Sequence, residues 1–177
     1  MQVDLSSSFF DLFGLPVQFA IDESTLIARF QDLQRQLHPD RFASKPAAER
    51  RWSMQAASHV NEGYQTLKHD LKRAIYLLTL NGVSVDEETD TQMSPMFLME
   101  QMEYREALEA AEAAADPLEK LDAVRGQLKA GVREQMQNFD QAAGAGNWDE
   151  ARTTVRQWQF LDKLAREVKS MEERLDA

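Results

Sequence analysis

Residues 33–42 read LQRQLHPDRF, and this stretch predicts how the first part of the chain folds. Apolar side chains recur here and upstream at the spacing of one helix face, and they are Leu26, Phe30, Leu33 and Leu37. Pro39 disfavours a helical backbone at His38, so this helix is expected to end there. A second apolar pattern over 47–67 predicts a helix that returns antiparallel to the first. His38, Pro39 and Asp40 are therefore predicted to lie at the tip of a helical hairpin.

The other apolar patterns along the chain are also helical. They cover about 9–13, 71–80, 97–115, 117–141 and 148–175. Asn81-Gly82 is a common helix end, and the polar, acidic stretch after it has the composition of a linker. No convincing strand is present. We therefore predict an all-α chain with a helical hairpin domain over 1–82, a linker over 83–95 and a three-helix bundle over 96–177.

Charge is unevenly divided between these two parts. The 177 residues carry a net charge of -10, all of it beyond residue 83, and contain no Cys. A disulfide scaffold is excluded, and an acidic bundle argues against nucleic acid as its partner because phosphate contacts need surplus Lys and Arg. No apolar run approaches the roughly 20 residues of a membrane span. The opening residues lack a basic targeting start, so the cytoplasm is the expected compartment.

The hairpin tip combines an imidazole, a proline and a carboxylate. Pro39 restricts the backbone, so its neighbours would project with little loss of entropy on binding. Asp40 could accept a bidentate bond from an arginine, and Arg41 could pair with a carboxylate. Alternatively, Pro39 merely ends the helix and Asp40 caps the next turn. A metal site is weakly supported, because the three His residues lie 21 and 10 positions apart with no Cys.

The start of the bundle, FLMEQMEYREALEAA at 97–111, has two kinds of apolar position. One stripe has the spacing of a bundle core, and it comprises Phe97, Gln101, Tyr104, Leu108 and Ala111. Other side chains lie off that stripe and form an apolar patch with an acidic rim, and they are Leu98, Met99, Met102, Glu103 and Glu106. Phe160 could complete the patch from the last helix. Such a surface suits a basic protein client, although burial of these side chains in the core is an equal alternative.

Residues 9–80, with LQRQLHPDRF and VNEGYQTL, resemble a J-domain, the co-chaperone module that docks on DnaK-type chaperones. The resemblance implies that His38, Pro39 and Asp40 stimulate the chaperone's ATP hydrolysis. It also implies basic contacts at Arg41 and Arg35. Many J-domains have a strongly basic second helix, whereas this one offers only Arg29 and Arg35. That departure favours a dedicated chaperone over a promiscuous one.

Residues 97–108 and TVRQWQFLDKL at 154–164 resemble the C-terminal domain of the HscB family of iron-sulfur assembly co-chaperones. The family implies that this face binds an IscU-type scaffold and that the J-domain delivers the scaffold to an HscA-type chaperone. The implied client contacts are Leu98, Met99, Met102, Glu103, Glu106 and Phe160. A carboxylate that relatives can carry one turn after Glu106 is replaced by Ala110, and Glu109 could substitute for it.

The sequence does not indicate an enzyme. There is no glycine-rich phosphate loop, and the Glu103 and Glu106 pair has no nucleophile or His nearby. We expect no cofactor, no metal and a monomer, with weak self-association left open. Two alternatives to a scaffold carrier are a J-domain co-chaperone of a different client and a structural helical protein in which His-Pro-Asp is incidental.

Overall fold

The structure, a computed structural model, describes residues 3–85 and 93–176. The described residues form helices and turns without a strand, which confirms the all-α prediction. The chain divides into two compact units, Met1–Asn81 and Gly82–Ala177. The predicted linker over 83–95 falls mostly on residues 86–92, which lie outside the described residues.

Four helices build the first unit, and they are α1 (Phe9–Leu12), α2 (Glu23–Gln36), α3 (Ala47–Lys68) and α4 (Asp70–Leu80). The sequence contains their start signals. Ser8 accepts a hydrogen bond from the backbone N–H of Asp11, and Asp22 accepts one from that of Ser24. These caps fix where α1 and α2 begin.

The hairpin of α2 and α3 is held together by its apolar faces. The buried side chains include Leu26, Leu33, Ala56, Val60 and Leu67. The rings of Phe30 and Tyr64 stack across the hairpin with centroids 3.9 Å apart. Helix α1 packs against α3 at Gly63, where an added Cβ would lie only 2.8 Å from Cδ1 of Phe9. Gly63 therefore permits a close approach that a larger residue would prevent.

Arg73 of α4 is a buried cation that the sequence patterns did not indicate. Its guanidinium donates to the carbonyls of Phe19 and Leu67 at 2.7 and 2.8 Å and to Asp70 Oδ1 at 2.9 Å. It also lies over the ring of Phe19. Since each of the three guanidinium nitrogens donates to an acceptor, burial of this charge is compensated. The arginine ties the segment before α2 to the end of α3.

The second unit is a bundle of three helices, α5 (Pro95–Glu112), α6 (Pro117–Gly144) and α7 (Trp148–Leu175). Each begins at a residue whose side chain accepts a backbone N–H bond, and these caps are Ser94, Asp116 and Asn147. The core includes Leu108, Leu121, Leu128, Leu161 and Leu164. Within residues 3–85 and 93–176, none of the helices combines the length and the hydropathy that a bilayer span requires.

The hairpin loop differs from the sequence-based prediction in two details. Helix α2 ends at Gln36 rather than His38, with Leu37 as its C-cap. Residues Pro39–Arg41 form a 3-10 turn in place of an irregular loop. The backbone of His38 has φ -57° and ψ 135°, the extended conformation expected before proline. Pro39 therefore restricts the backbone of His38, while α2 already ends before it, with the buried Leu37 as its C-cap.

Candidate functional site

The hairpin tip displays His-Pro-Asp on a short, internally bonded turn. The backbone N–H of Arg41 donates to the carbonyl of His38, and that of Phe42 donates to the carbonyl of Pro39, both at 3.0 Å. The ring of Phe42 lies against Trp52 of α3, with centroids 6.2 Å apart. The turn is thus anchored at its far end, while its first three residues remain on the surface.

His38 and Asp40 are oriented towards each other at this tip. His38 Nδ1 lies 3.3 Å from the backbone nitrogen of Asp40 and 3.6 Å from its Oδ2. An unprotonated Nδ1 accepts the backbone N–H, whereas a protonated one would face the carboxylate. The side chains are 59% and 90% exposed respectively, so both remain accessible to a partner. The turn preorganises an imidazole and a carboxylate without burying either.

A groove of about 520 Å³ runs from the tip between α2 and α3. Of the predicted chaperone contacts, it is lined by Arg35, His38 and Pro39. Arg35 lies 3.5 Å from Asp32 one turn earlier on α2, and this pair is exposed. Asp40 and Arg41 do not line the groove, although both are exposed. The predicted chaperone contacts therefore lie in two places. Arg35, His38 and Pro39 line the groove, whereas Asp40 and Arg41 lie on the exposed tip.

On α5, the apolar side chains outside the core stripe are exposed. Leu98, Met99 and Met102 are 47%, 62% and 63% exposed, whereas Phe97 and Leu108 are buried. The helical period thus separates two faces of α5. A run of adaptable thioether and aliphatic side chains in water is typical of a protein-binding surface.

Four of the six predicted client contacts line one groove between α5 and α7, named here the α5–α7 groove. Its volume is about 600 Å³, and its lining residues are Leu98, Gln101, Met102, Arg105, Glu106, Glu109, Phe160 and Lys163. Phe160 is half-buried and meets Phe97 edge to face, with centroids 5.6 Å apart. This contact holds the aromatic ring of α7 beside the exposed face of α5.

Met99 and Glu103 do not line this groove. Glu103 instead contributes negative charge near Glu100, Tyr104 and Glu134 of α6. Partial burial raises the pKa of the Glu100 carboxyl above its ordinary value, and the charges of Glu134 and Glu103 raise it further. Burial raises the pKa of Tyr104 above its ordinary value, and the charges of Glu100, Glu134 and Glu103 raise it further. The acidic rim therefore extends around α5, away from α7.

Sequence reasoning missed the basic side chains of the groove. Arg105 lines it from α5 and forms an ion pair of 2.5 Å with Glu167 of α7. Lys163 lines it from α7. The sequence did contain a signal for Lys163, because this residue follows Phe160 by three positions and so lies on the same helix face. Met96, an exposed side chain at the start of α5, was also not included.

The two sites are suited to recognition. Over residues 3–85 and 93–176, no three His, Asp or Glu side chains are grouped to hold a metal ion. The hairpin tip offers exposed polar groups on a stiff turn, and the α5–α7 groove offers apolar surface with charged edges. Both arrangements are typical of protein interfaces.

Comparisons with known proteins agree on one family, both for the bundle and for nearly the whole chain. The sequence profile described as "HSCB C-terminal oligomerisation domain" matches residues 93–169. A protein of Burkholderia multivorans named "Co-chaperone protein HscB homolog" is 45% identical over 174 residues, which are 98% of this chain and 99% of the relative. A relative of the same name from Cupriavidus taiwanensis is 45% identical over 99% of both chains.

Two solved structures resemble the whole fold. "Chaperone HscB from Vibrio cholerae" is 40% identical with a TM-score of 0.84, and the match covers 96% of this chain and 99% of that one. The human co-chaperone protein HscB is 30% identical with a TM-score of 0.87, over 96% of this chain and 84% of that one.

Proposed function

Since this chain belongs to the HscB family of J-domain co-chaperones, we propose that it carries an IscU-type scaffold to an HscA-type chaperone and stimulates that chaperone's ATP hydrolysis. The process served is iron-sulfur cluster assembly and transfer, in the cytoplasm. In this role the protein is an adaptor and not itself an enzyme. It needs no cofactor of its own, because the cluster is the cargo of the scaffold.

The observation that carries the proposal is the exposed apolar face of α5. Leu98, Met99 and Met102 remain exposed to water, whereas Leu108 and Ala111 of the same helix are buried in the bundle core. Their exposure disfavours the alternative in which these side chains are core residues. The proposed client contacts are Leu98, Met99, Met102, Glu103, Glu106 and Phe160, with the last supplying an aromatic anchor from α7.

The hairpin tip is the proposed chaperone contact, through His38, Pro39, Asp40, Arg41 and Arg35. Its exposure and stiff turn support this role, because little entropy is lost when preorganised groups bind. Stimulation of hydrolysis requires that the tip bind the hydrolysis-competent conformation of the chaperone more tightly than the other conformation. The protein then acts by shifting the chaperone's conformational population.

Scaffold binding by calorimetry tests the client half of the proposal. Replacing Leu98 and Met102 by Ala is expected to weaken binding by about 2 kcal/mol, or roughly 30-fold, because such contacts form the centre of the interface. Both side chains are exposed, so stability should be retained. A matched control is Leu118→Ala, which truncates an exposed leucine of α6.

Unchanged affinity in the Leu98→Ala, Met102→Ala double variant would place the client elsewhere. If the wild-type protein stimulates the chaperone but does not bind the scaffold, the protein serves a different client. A loss of affinity in the Leu118→Ala control would show that the effect is not specific to the groove.

A further inference from the structure

The α5–α7 groove carries one cation that is not neutralised within the described part of the chain. Of its charged lining residues, Arg105 is paired with Glu167 at 2.5 Å. Lys163, exposed on α7, forms no ion pair with any described residue. On the α5 wall, the exposed carboxylates Glu106 and Glu109 likewise have no described cation within ion-pair distance. Charges of both signs are thus available to a ligand.

These charges are separated along the groove. The contacts Phe97–Phe160 and Arg105–Glu167 show that α5 and α7 run parallel, since both partners advance together. Lys163 follows Phe160 by three residues, and Glu106 follows Phe97 by nine. At about 1.5 Å of helix rise per residue, Lys163 lies about 9 Å before Glu106 and about 14 Å before Glu109.

Of the apolar side chains that line the groove, only Met102 lies between Lys163 and Glu106, whereas Leu98 and Phe160 lie about 3 and 4.5 Å before Lys163. Leu98 and Met102 line the groove from α5, and Phe160 lines it from α7. A second cavity of about 140 Å³ shares Phe160 and Lys163 with the groove. The surface therefore continues past Lys163 on the side away from Glu106. Along the groove, an apolar start at Phe160 and Leu98 is followed by the cation of Lys163, then by Met102, and then by the carboxylates of Glu106 and Glu109.

Building on the function proposed above, we propose that Lys163 is a specificity-determining residue that fixes the direction in which the client lies in the groove. The matching client segment carries a carboxylate at Lys163, an apolar side chain at Met102 and a cation at Glu106 or Glu109. An extended chain advances about 3.3 Å per residue, so its two charges are about three to four residues apart. A reversed segment places like charges together, which disfavours it.

The experiment measures binding of the full-length protein to a purified IscU-type scaffold by calorimetry at low salt. Lys163→Glu is expected to weaken binding about tenfold and Lys163→Gln about threefold, because the first adds repulsion to the lost attraction. Lys129→Glu is the matched control, since Lys129 is an exposed mid-helix lysine of α6 that does not line the groove. It changes net charge equally and should alter binding by less than about twofold.

Two further measurements distinguish the direction of the charges along the groove from other effects on binding. The double variant Lys163→Glu with Glu106→Lys keeps the net charge but reverses the groove, so it should bind no better than Lys163→Glu alone. At about 1 M salt, where screening acts over about 3 Å, the difference between Lys163→Glu and wild type should shrink towards zero. A packing defect would persist in salt, and circular dichroism checks the fold.

Equal affinities for Lys163→Glu and Lys129→Glu would overturn the inference while leaving the adaptor function intact. Restored affinity in the double variant would also overturn it, because net charge alone would then explain binding. If the wild-type protein does not bind the scaffold, the proposed function fails first and the inference fails with it.

Discussion

His38 has a precise local environment although it lies on the surface. Its Nδ1 is 3.3 Å from the backbone nitrogen of Asp40, and Pro39 between them fixes the backbone. The ring is therefore held in one orientation while most of it faces water. This combination favours recognition by a partner over a structural role, since neither side chain supports a core.

Replacing His38 by Gln tests that interpretation. We expect chaperone stimulation to fall about tenfold or more, the effect of losing one charge-assisted hydrogen bond worth about 1.5–3 kcal/mol. Scaffold affinity should be unchanged, because the α5–α7 groove belongs to the other unit. Single-turnover ATP hydrolysis and calorimetry measure the two activities separately.

A suitable control is His69→Gln, which changes an exposed histidine at the junction of α3 and α4. The side chain of His69 makes no capping hydrogen bond there, so stimulation should be retained. Equal loss of stimulation in both variants would contradict a specific contact by His38. Loss of scaffold affinity in His38→Gln would contradict the division of labour.

Glu100 makes a second residue-scale prediction, which concerns pH. Because burial and neighbouring carboxylates raise its pKa, the folded state is disfavoured when Glu100 is ionised. Glu100→Gln should therefore slightly increase stability at pH 7. As the pH falls below the ordinary Glu value of 4.5, wild-type Glu100 is protonated in both folded and unfolded states, and the advantage should disappear.

Chemical denaturation at several pH values measures this effect. A variant that is less stable than wild type at pH 7 would contradict the repulsion assigned to Glu100, Glu103 and Glu134. So would a stability difference that does not depend on pH, since that result would indicate a change in packing.

The sequence predicts a site residue only where the position of that residue on its own helix is enough to place it. The helical period correctly separated Leu98 and Met102 from the core face of α5. It could not place Glu103 outside the α5–α7 groove or add Lys163 to the groove, because those positions depend on which helices are neighbours. The buried Arg73 was missed for the same reason, since two of its acceptors are backbone carbonyls that leave no pattern in the sequence.

At the scale of elements, helix starts were more predictable than the hairpin turn. Ser8, Asp22 and Asn147 each accept a backbone N–H at the start of a helix, and Ser, Asp and Asn are residue types that favour this position. Gly82 has φ 74° just after the C-cap of α4, which explains the strength of the Asn81-Gly82 signal. The 3-10 turn at Pro39–Arg41 depends instead on backbone bonds within the loop and on the anchoring of Phe42 by Trp52.

The packing of α1 on α3 gives an element-scale prediction. Gly63→Ala would place Cβ 2.8 Å from Phe9 Cδ1 and 3.1 Å from Phe13 Cε2, so α1 would have to move away. We expect a loss of about 1–3 kcal/mol in the free energy of unfolding, the usual effect of overpacking a core. Equilibrium denaturation followed by circular dichroism measures it.

Gly126→Ala is the contrasting substitution. Gly126 lies within α6 with nothing within 4 Å of an added Cβ, so alanine should stabilise the protein by about 0.5–1 kcal/mol. Equal stabilisation by Gly63→Ala would contradict the close packing of α1 on α3 at this position. If Gly126→Ala destabilised the protein, the exposed position assigned to it would be wrong.

At the scale of the whole molecule, the two units have different charge and different surfaces. The first unit presents a stiff polar tip and has balanced charge, whereas the acidic second unit presents an apolar groove. An adaptor needs two such surfaces, because the client must be held while the chaperone is engaged. We therefore expect the effects of the two surfaces to combine only when both the chaperone and the scaffold are present.

The most direct test of that central claim is single-turnover ATP hydrolysis by an HscA-type chaperone, with and without this protein and an IscU-type scaffold. Asp40→Ala serves as the control. We predict acceleration by the protein, a further increase when the scaffold is added, and loss of both in Asp40→Ala. Absence of acceleration by the wild-type protein, or acceleration unaffected by Asp40→Ala, would contradict the account.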